Sequence, residues 1–118
     1  MRWQKWVKEM AKKLFSIFTD DLDTCIISGR TDNIERHHIF GGRMGLKSKS
    51  EAYGFIIPLN AEYHFNGSQC KLENWKEYDH KFKRACQEYY EKNLGTREDW
   101  YREFGQFYDW GDENEVES

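Results

Sequence analysis

"NIERHHIFGG", Asn33 to Gly42, is the stretch that decides how this chain is read. Ile34 to Phe40 reads as an extended run, and two of the chain's four histidines, His37 and His38, stand side by side near its end. Neighbouring side chains on a regular strand point to opposite faces. The two imidazoles can serve one site only if the strand bends or ends there, and Gly41-Gly42 supplies a place for that bend. Upstream, "TCIIS" (24–28) reads as a short strand and Gly29 to Asn33 as a turn. Downstream, "GGRMGLKSKS" (41–50) mixes glycines with Arg43, Lys47 and Lys49, the signature of a mobile basic loop. "YGFIIPLN" (53–60) reads as a strand bounded by Gly54 and ended by Pro58 with Asn60. Asn60 is placed to cap a short helix through His64, which Asn66-Gly67 would stop.

Helical spacing governs the two ends. Trp3, Trp6, Val7, Met10, Leu14, Phe15 and Phe18 recur at three- and four-residue steps, so residues 3–18 are expected to form an amphipathic helix docked on the core. Leu72, Trp75, Tyr78, Phe82, Cys86 and Tyr89 give a similar stripe, which predicts a long helix over 71–93. Thr96 with Asp99 predicts a capped start to a final helix whose apolar face is Trp100, Phe104 and Phe107. "GDENEVES" (111–118) reads as a solvated acidic tail.

At 118 residues the chain suits one compact domain. Hydrophobic content of 38% and charged content of 33% suit a soluble globular protein. No apolar run approaches a membrane span, and charges run through the N-terminal segment, so neither a membrane protein nor a secretory signal is indicated. A cytoplasmic location is the expectation. Cys25, Cys70 and Cys86 are odd in number and irregularly spaced, which favours reduced thiols over a disulfide framework. The net charge of −3 hides an asymmetry between a basic N-terminal segment and an acidic tail.

The order is therefore strand, two histidines, basic glycine loop, strand, and a short helix bearing His64. Catalytic metal sites draw a few ligands from different elements and leave positions open for water and substrate. Imidazole suits borderline divalent metals such as Zn, Ni and Mn. A histidine that is not a ligand can deprotonate an attacking water.

"ERHHIFGG", "SEAYGFIIPL" and the histidine four residues after Asn60 resemble the HNH (His-Me finger, ββα-metal) endonucleases carried by bacteriophages. Within these it resembles the RecA-dependent nuclease family of phage recombination. The resemblance covers about residues 24–110 and includes "DHKFKRACQ" and "TREDWYREFGQFY". It implies an α+β fold class, a ββα-metal (HNH-like) core with an added N-terminal helix and C-terminal helices. The division would be an amphipathic helix over 1–22, the HNH-like domain over 23–110 and the tail over 111–118. By position, His37 would be a metal ligand, His38 the general base, and His64 a second ligand. One divalent ion (Mg, Mn, Ni or Zn) and hydrolysis of DNA phosphodiesters are implied. Arg36, Arg43, Lys47 and Lys49 would touch backbone phosphates. The partner would be DNA in the host cytoplasm, with a recombinase filament or another protein, or a second copy of the chain, left open.

The chain departs from the family pattern in three places. Relatives often carry two C-x-x-C knuckles for a structural zinc, but here the positions read Cys25-Ile-Ile-Ser28 and Asn60-Ala-Glu-Tyr63, so no structural zinc is expected. The last histidine of the pattern is missing. Cys70, Glu73 and Asn74 stand nearby, and Glu73 lies nearest when counted back from "DHKFK". A carboxylate there would favour Mg or Mn. "EAYGF" occupies the region of the central asparagine, and Asn60 comes too late to be assigned that role. A non-catalytic relative that binds DNA or a protein, as an accessory or inhibitor, is the alternative. The lost last ligand and the negative charge favour it, while the intact "ERHHIF" favours the enzyme.

Overall fold

The computed structural model describes residues 14–42 and 45–109, and the chain divides into two compact units, Met1–Ala61 and Glu62–Ser118. The architecture is α+β. In the first unit the elements are β1 (Ile34–His38), α1 (Leu46–Tyr53) and β2 (Ile56–Asn60). The strands pair antiparallel, Ile34 opposite Asn60 and His38 opposite Ile56. Backbone bonds from Ile39 N to Phe55 O and from Ala61 N to Asn33 O, both 3.0 Å, carry the ladder past each end. Antiparallel pairs alternate between hydrogen-bonded and non-bonded, so Arg36 and Pro58 meet at a non-bonded position. The missing Pro58 N–H therefore costs β1 nothing. Its carbonyl faces the other edge and accepts Ile26 N–H at 2.9 Å.

That outer loop explains why "FIIPL" is apolar throughout rather than alternating. Phe55, Ile56, Ile57 and Leu59 are all 0% exposed, covered on both faces. Burying each such side chain stabilises the fold by about 1.5–3 kcal/mol. Cys25, Ile39, Phe40 and Ala61 complete this core, with Phe40 and Phe55 rings 5.9 Å apart. The buried Asn60 sends its Nδ2 to Asp32 O at 2.7 Å, pinning the chain just ahead of β1. That bond runs back toward β1 rather than forward into the following turn. The turn after it is a single 3-10 segment, Ala61–Tyr63, in place of the predicted helix through His64.

Several sequence expectations shift here. Residues 24–28 close into a turn, not a strand, with Gly29 N bonded to Cys25 O at 2.9 Å and Cys25 N to Arg30 O at 2.8 Å. The supposed basic loop is helical over Leu46–Tyr53, bracketed by Gly45 and Gly54 at φ 87° and 76°. Glycine reaches that left-handed region without strain and so ends the helix at Gly54. β2 accordingly begins at Ile56 rather than Tyr53. Of the helix expected over 3–18, residues 3–13 lie outside the described residues, and 14–18 are not helical. There Ile17 N–H donates to Gly54 O at 2.9 Å instead.

The second unit holds α2 (Trp75–Asn93) and α3 (Arg97–Phe104). The long helix starts at Trp75, not 71, and buries Cys86, Gln87 and Tyr90, while Tyr89 is 37% exposed. Thr96 and Asp99 form the expected reciprocal capping box at the start of α3. Trp100 stacks on Phe104 at 4.1 Å and meets the edge of Tyr90 at 5.4 Å. α3 ends at Phe104, so Phe107 lies beyond it, under the Arg97 guanidinium at 4.0 Å from its ring centroid. The buried Gln87 accepts Tyr108 N–H at 2.7 Å, and Trp100 Nε1–H donates to Gln106 O at 2.8 Å, holding this segment down. Phe65 packs on Tyr78 and Phe82, with ring centroids 6.2 and 6.1 Å away. Among the described residues no helix is long and apolar enough to cross a membrane.

Candidate functional site

β1 carries both central histidines in regular ladder positions, His37 opposite Ile57 and His38 opposite Ile56. The bend comes at Ile39–Phe40, after both of them. Strand geometry therefore sets the two rings on opposite faces of the hairpin, Arg36 and His38 on one, Glu35 and His37 on the other. The strand ends at His38, just ahead of Gly41-Gly42, and Ile39 N–H on Phe55 O keeps both histidines in ladder register up to that point.

On its face His38 meets α1. Its Nε2 lies 2.7 Å from Glu51 Oε2, with the His38 side chain 16% exposed and the Glu51 side chain 41%. An ionised carboxylate can only accept, so a neutral ring paired this way donates Nε2–H and keeps the lone pair on Nδ1. Glu51 was not among the residues singled out from the sequence. Its position follows from α1, which the glycine-rich reading of residues 41–50 obscured. The signal that finds it is the pair Gly45 and Gly54 flanking a run without β-branched residues, which is a short helix with left-handed glycines at both ends.

The fixing of α1 is local and specific. Ser50 is fully buried, and its hydroxyl accepts Phe40 N–H at 3.0 Å and donates to Phe40 O at 2.8 Å. Phe55 N–H donates to Ser50 O at 2.8 Å. The residue before Glu51 is thus bound to the chain two residues past His38.

The other sequence-derived candidates are placed as follows. Arg36 pairs with Asp23 at 3.1 Å, so a phosphate would compete with that carboxylate. Lys47 is exposed on α1 and Lys49 half-buried there, while Arg43 lies outside the described residues. In the second unit His64 is half-buried directly after the 3-10 turn, its carbonyl accepting Gly67 N–H at 2.9 Å. Glu73 is exposed and lines a cleft with Asn66, Cys70, Lys71 and Trp75. Among the described residues no three His, Cys, Asp or Glu side chains cluster closely enough to hold a metal ion. His37, His64 and Glu73 are thus candidate donors through the resemblance and by residue type, on separate units.

At the first knuckle position Cys25 Sγ accepts Ser28 N–H at 3.4 Å. Burial disfavours the thiolate, but backbone N–H groups of Asn60, Ser28 and Ile27 outweigh it and hold the thiol below its ordinary pKa.

No protein family, curated protein or solved structure gives a match to the chain.

Proposed function

We propose that this chain is a metal-dependent DNA endonuclease or nickase built on a ββα-metal core, with His38 as general base. The observation that supports it is the His38–Glu51 pair, an imidazole on a rigid hairpin with one nitrogen held by a carboxylate. Such a ring takes the proton of a water from its free nitrogen. The water oxygen then forms a new bond to phosphorus. The bond to the leaving sugar oxygen breaks, its electron pair stays on that oxygen, and solvent supplies the proton. The family resemblance offers His37, His64 and Glu73 as donors, and two imidazoles with a carboxylate suit borderline divalent metals by type. When bound, the ion supplies charge neutralisation at the phosphate. Lys47 on α1 would touch a neighbouring phosphate and set orientation rather than sequence. Phage origin and a recombination role come with the family resemblance.

A second reading is favoured by the opposite faces of His37 and His38. In it the chain keeps the fold, holds no catalytic ion and binds DNA or a protein as an accessory. The test is supercoiled plasmid incubated with Mg²⁺, Mn²⁺, Ni²⁺ or Zn²⁺ and with wild type, His37→Ala or His64→Ala. Nicking that needs a metal and is lost in both variants supports the nuclease. Gel retention that persists in chelator, with no cutting in any metal, supports the accessory.

A further inference from the structure

We propose that Glu51 is the positioning residue of His38, fixing which ring nitrogen faces the water. The consequence for catalysis rests on the nuclease reading above; the pairing itself does not. A neutral imidazole carries one N–H, and which nitrogen carries it is set by the partner of the other. Glu51 Oε2 lies 2.7 Å from Nε2. Opposite an ionised carboxylate, which can only accept, a neutral ring keeps its hydrogen on Nε2 and presents the lone pair on Nδ1.

The geometry is more than a chance surface pair for two reasons. The His38 side chain is 16% exposed, so its ring has little freedom to turn away. Glu51 is carried by a helix whose preceding residue, Ser50, is bound twice to Phe40, and whose end is closed by Gly54 N–H on Ser50 O. The carboxylate and the ring are therefore carried by α1 and β1, two elements tied together through Ser50 and Phe40. Exposed ion pairs on long flexible side chains lack that restraint and contribute little.

Two measurements test this together. The first is the long-range ¹⁵N–¹H spectrum of the histidine rings at about pH 8.5, well above the ordinary imidazole value. A resolved His38 Nε2–H proton is expected in the wild type. It should disappear in Glu51→Ala through exchange with water and return in Glu51→Asp. Its absence from the wild type, or its persistence in Glu51→Ala, overturns the pairing. The second is plasmid nicking under saturating metal. Glu51→Ala is expected to lower kcat about 10- to 100-fold with KM little changed, as removal of an orienting partner does. Glu51→Asp should recover part of the loss. An active wild type matched by Glu51→Ala in kcat overturns the positioning role. A wild type that never cuts, but shows the Glu51-dependent proton, overturns the nuclease reading and leaves the pairing standing. Unchanged thermal melting of Glu51→Ala is the control for folding.

Discussion

The Ser50 hydroxyl holds both backbone groups of Phe40, accepting its N–H at 3.0 Å and donating to its carbonyl at 2.8 Å. This two-point contact joins α1 to the chain leaving β1, and both partners are buried. Ser50→Ala leaves a buried donor and acceptor unsatisfied, which costs about 1–3 kcal/mol per group that water does not reach. Urea unfolding should show a loss of at least about 1 kcal/mol with an unchanged m-value. A midpoint equal to that of the wild type would show that the contact carries no stability.

Gly54 closes α1 at φ 76°, and a Cβ built there runs into the Phe15 ring. Gly54→Ala combines left-handed backbone strain with that overlap, and should destabilise by about 1–2 kcal/mol. Phe15 is 50% exposed, so its ring can be removed cheaply. The double variant Phe15→Ala/Gly54→Ala should therefore lose less than the two single variants added together. Simple additivity in chemical unfolding would show that the ring is not the obstacle.

Part of this fold was legible because its signals are local. The Thr96–Asp99 capping box needs only residues three apart, and the apolar run before Asn60 needs only β2 to be covered on both faces. The helix at Leu46–Tyr53 was missed because lysines and serines carry no apolar stripe, while the glycines that end it look like loop residues. Tyr90 replaces Tyr89 in the core because the packing of Trp100 and Phe104, distant in sequence, selects the inward face. At the candidate site the histidines were visible as residues but not as partners. Glu51 lies 13 positions from His38, and nothing short of α1 folding back on β1 brings them together.

Asp109 gives the second unit a pH dependence. The Arg97 guanidinium hydrogen-bonded to it outweighs partial burial and holds its carboxyl below the ordinary 3.8. A folded-state pKa below the unfolded one means stability present above the unfolded value and lost as pH falls through the folded value. Thermal melting between about pH 5 and pH 2 should therefore decline less steeply for Asp109→Asn than for wild type. Parallel curves would remove Asp109 from the acid transition.

The three thiols should separate by accessibility. Burial pushes the Cys86 thiol far above its ordinary pKa, and Cys25 is 2% exposed, whereas Cys70 is only partly buried. A thiolate-specific reagent at about pH 8 should label Cys70 first and reach the other two only on unfolding, since attack needs both thiolate and access. Rapid native-state labelling of Cys86 would contradict the packing of α2.

The most direct measurement is single-turnover nicking of supercoiled plasmid in Mn²⁺ by wild type and His38→Ala. Loss of a general base lowers such a rate by about 10²–10⁴-fold. The expected result is nicking by the wild type and a drop of at least about 100-fold in the variant at unchanged DNA retention. A variant that cuts as fast as the wild type would contradict His38 as the base.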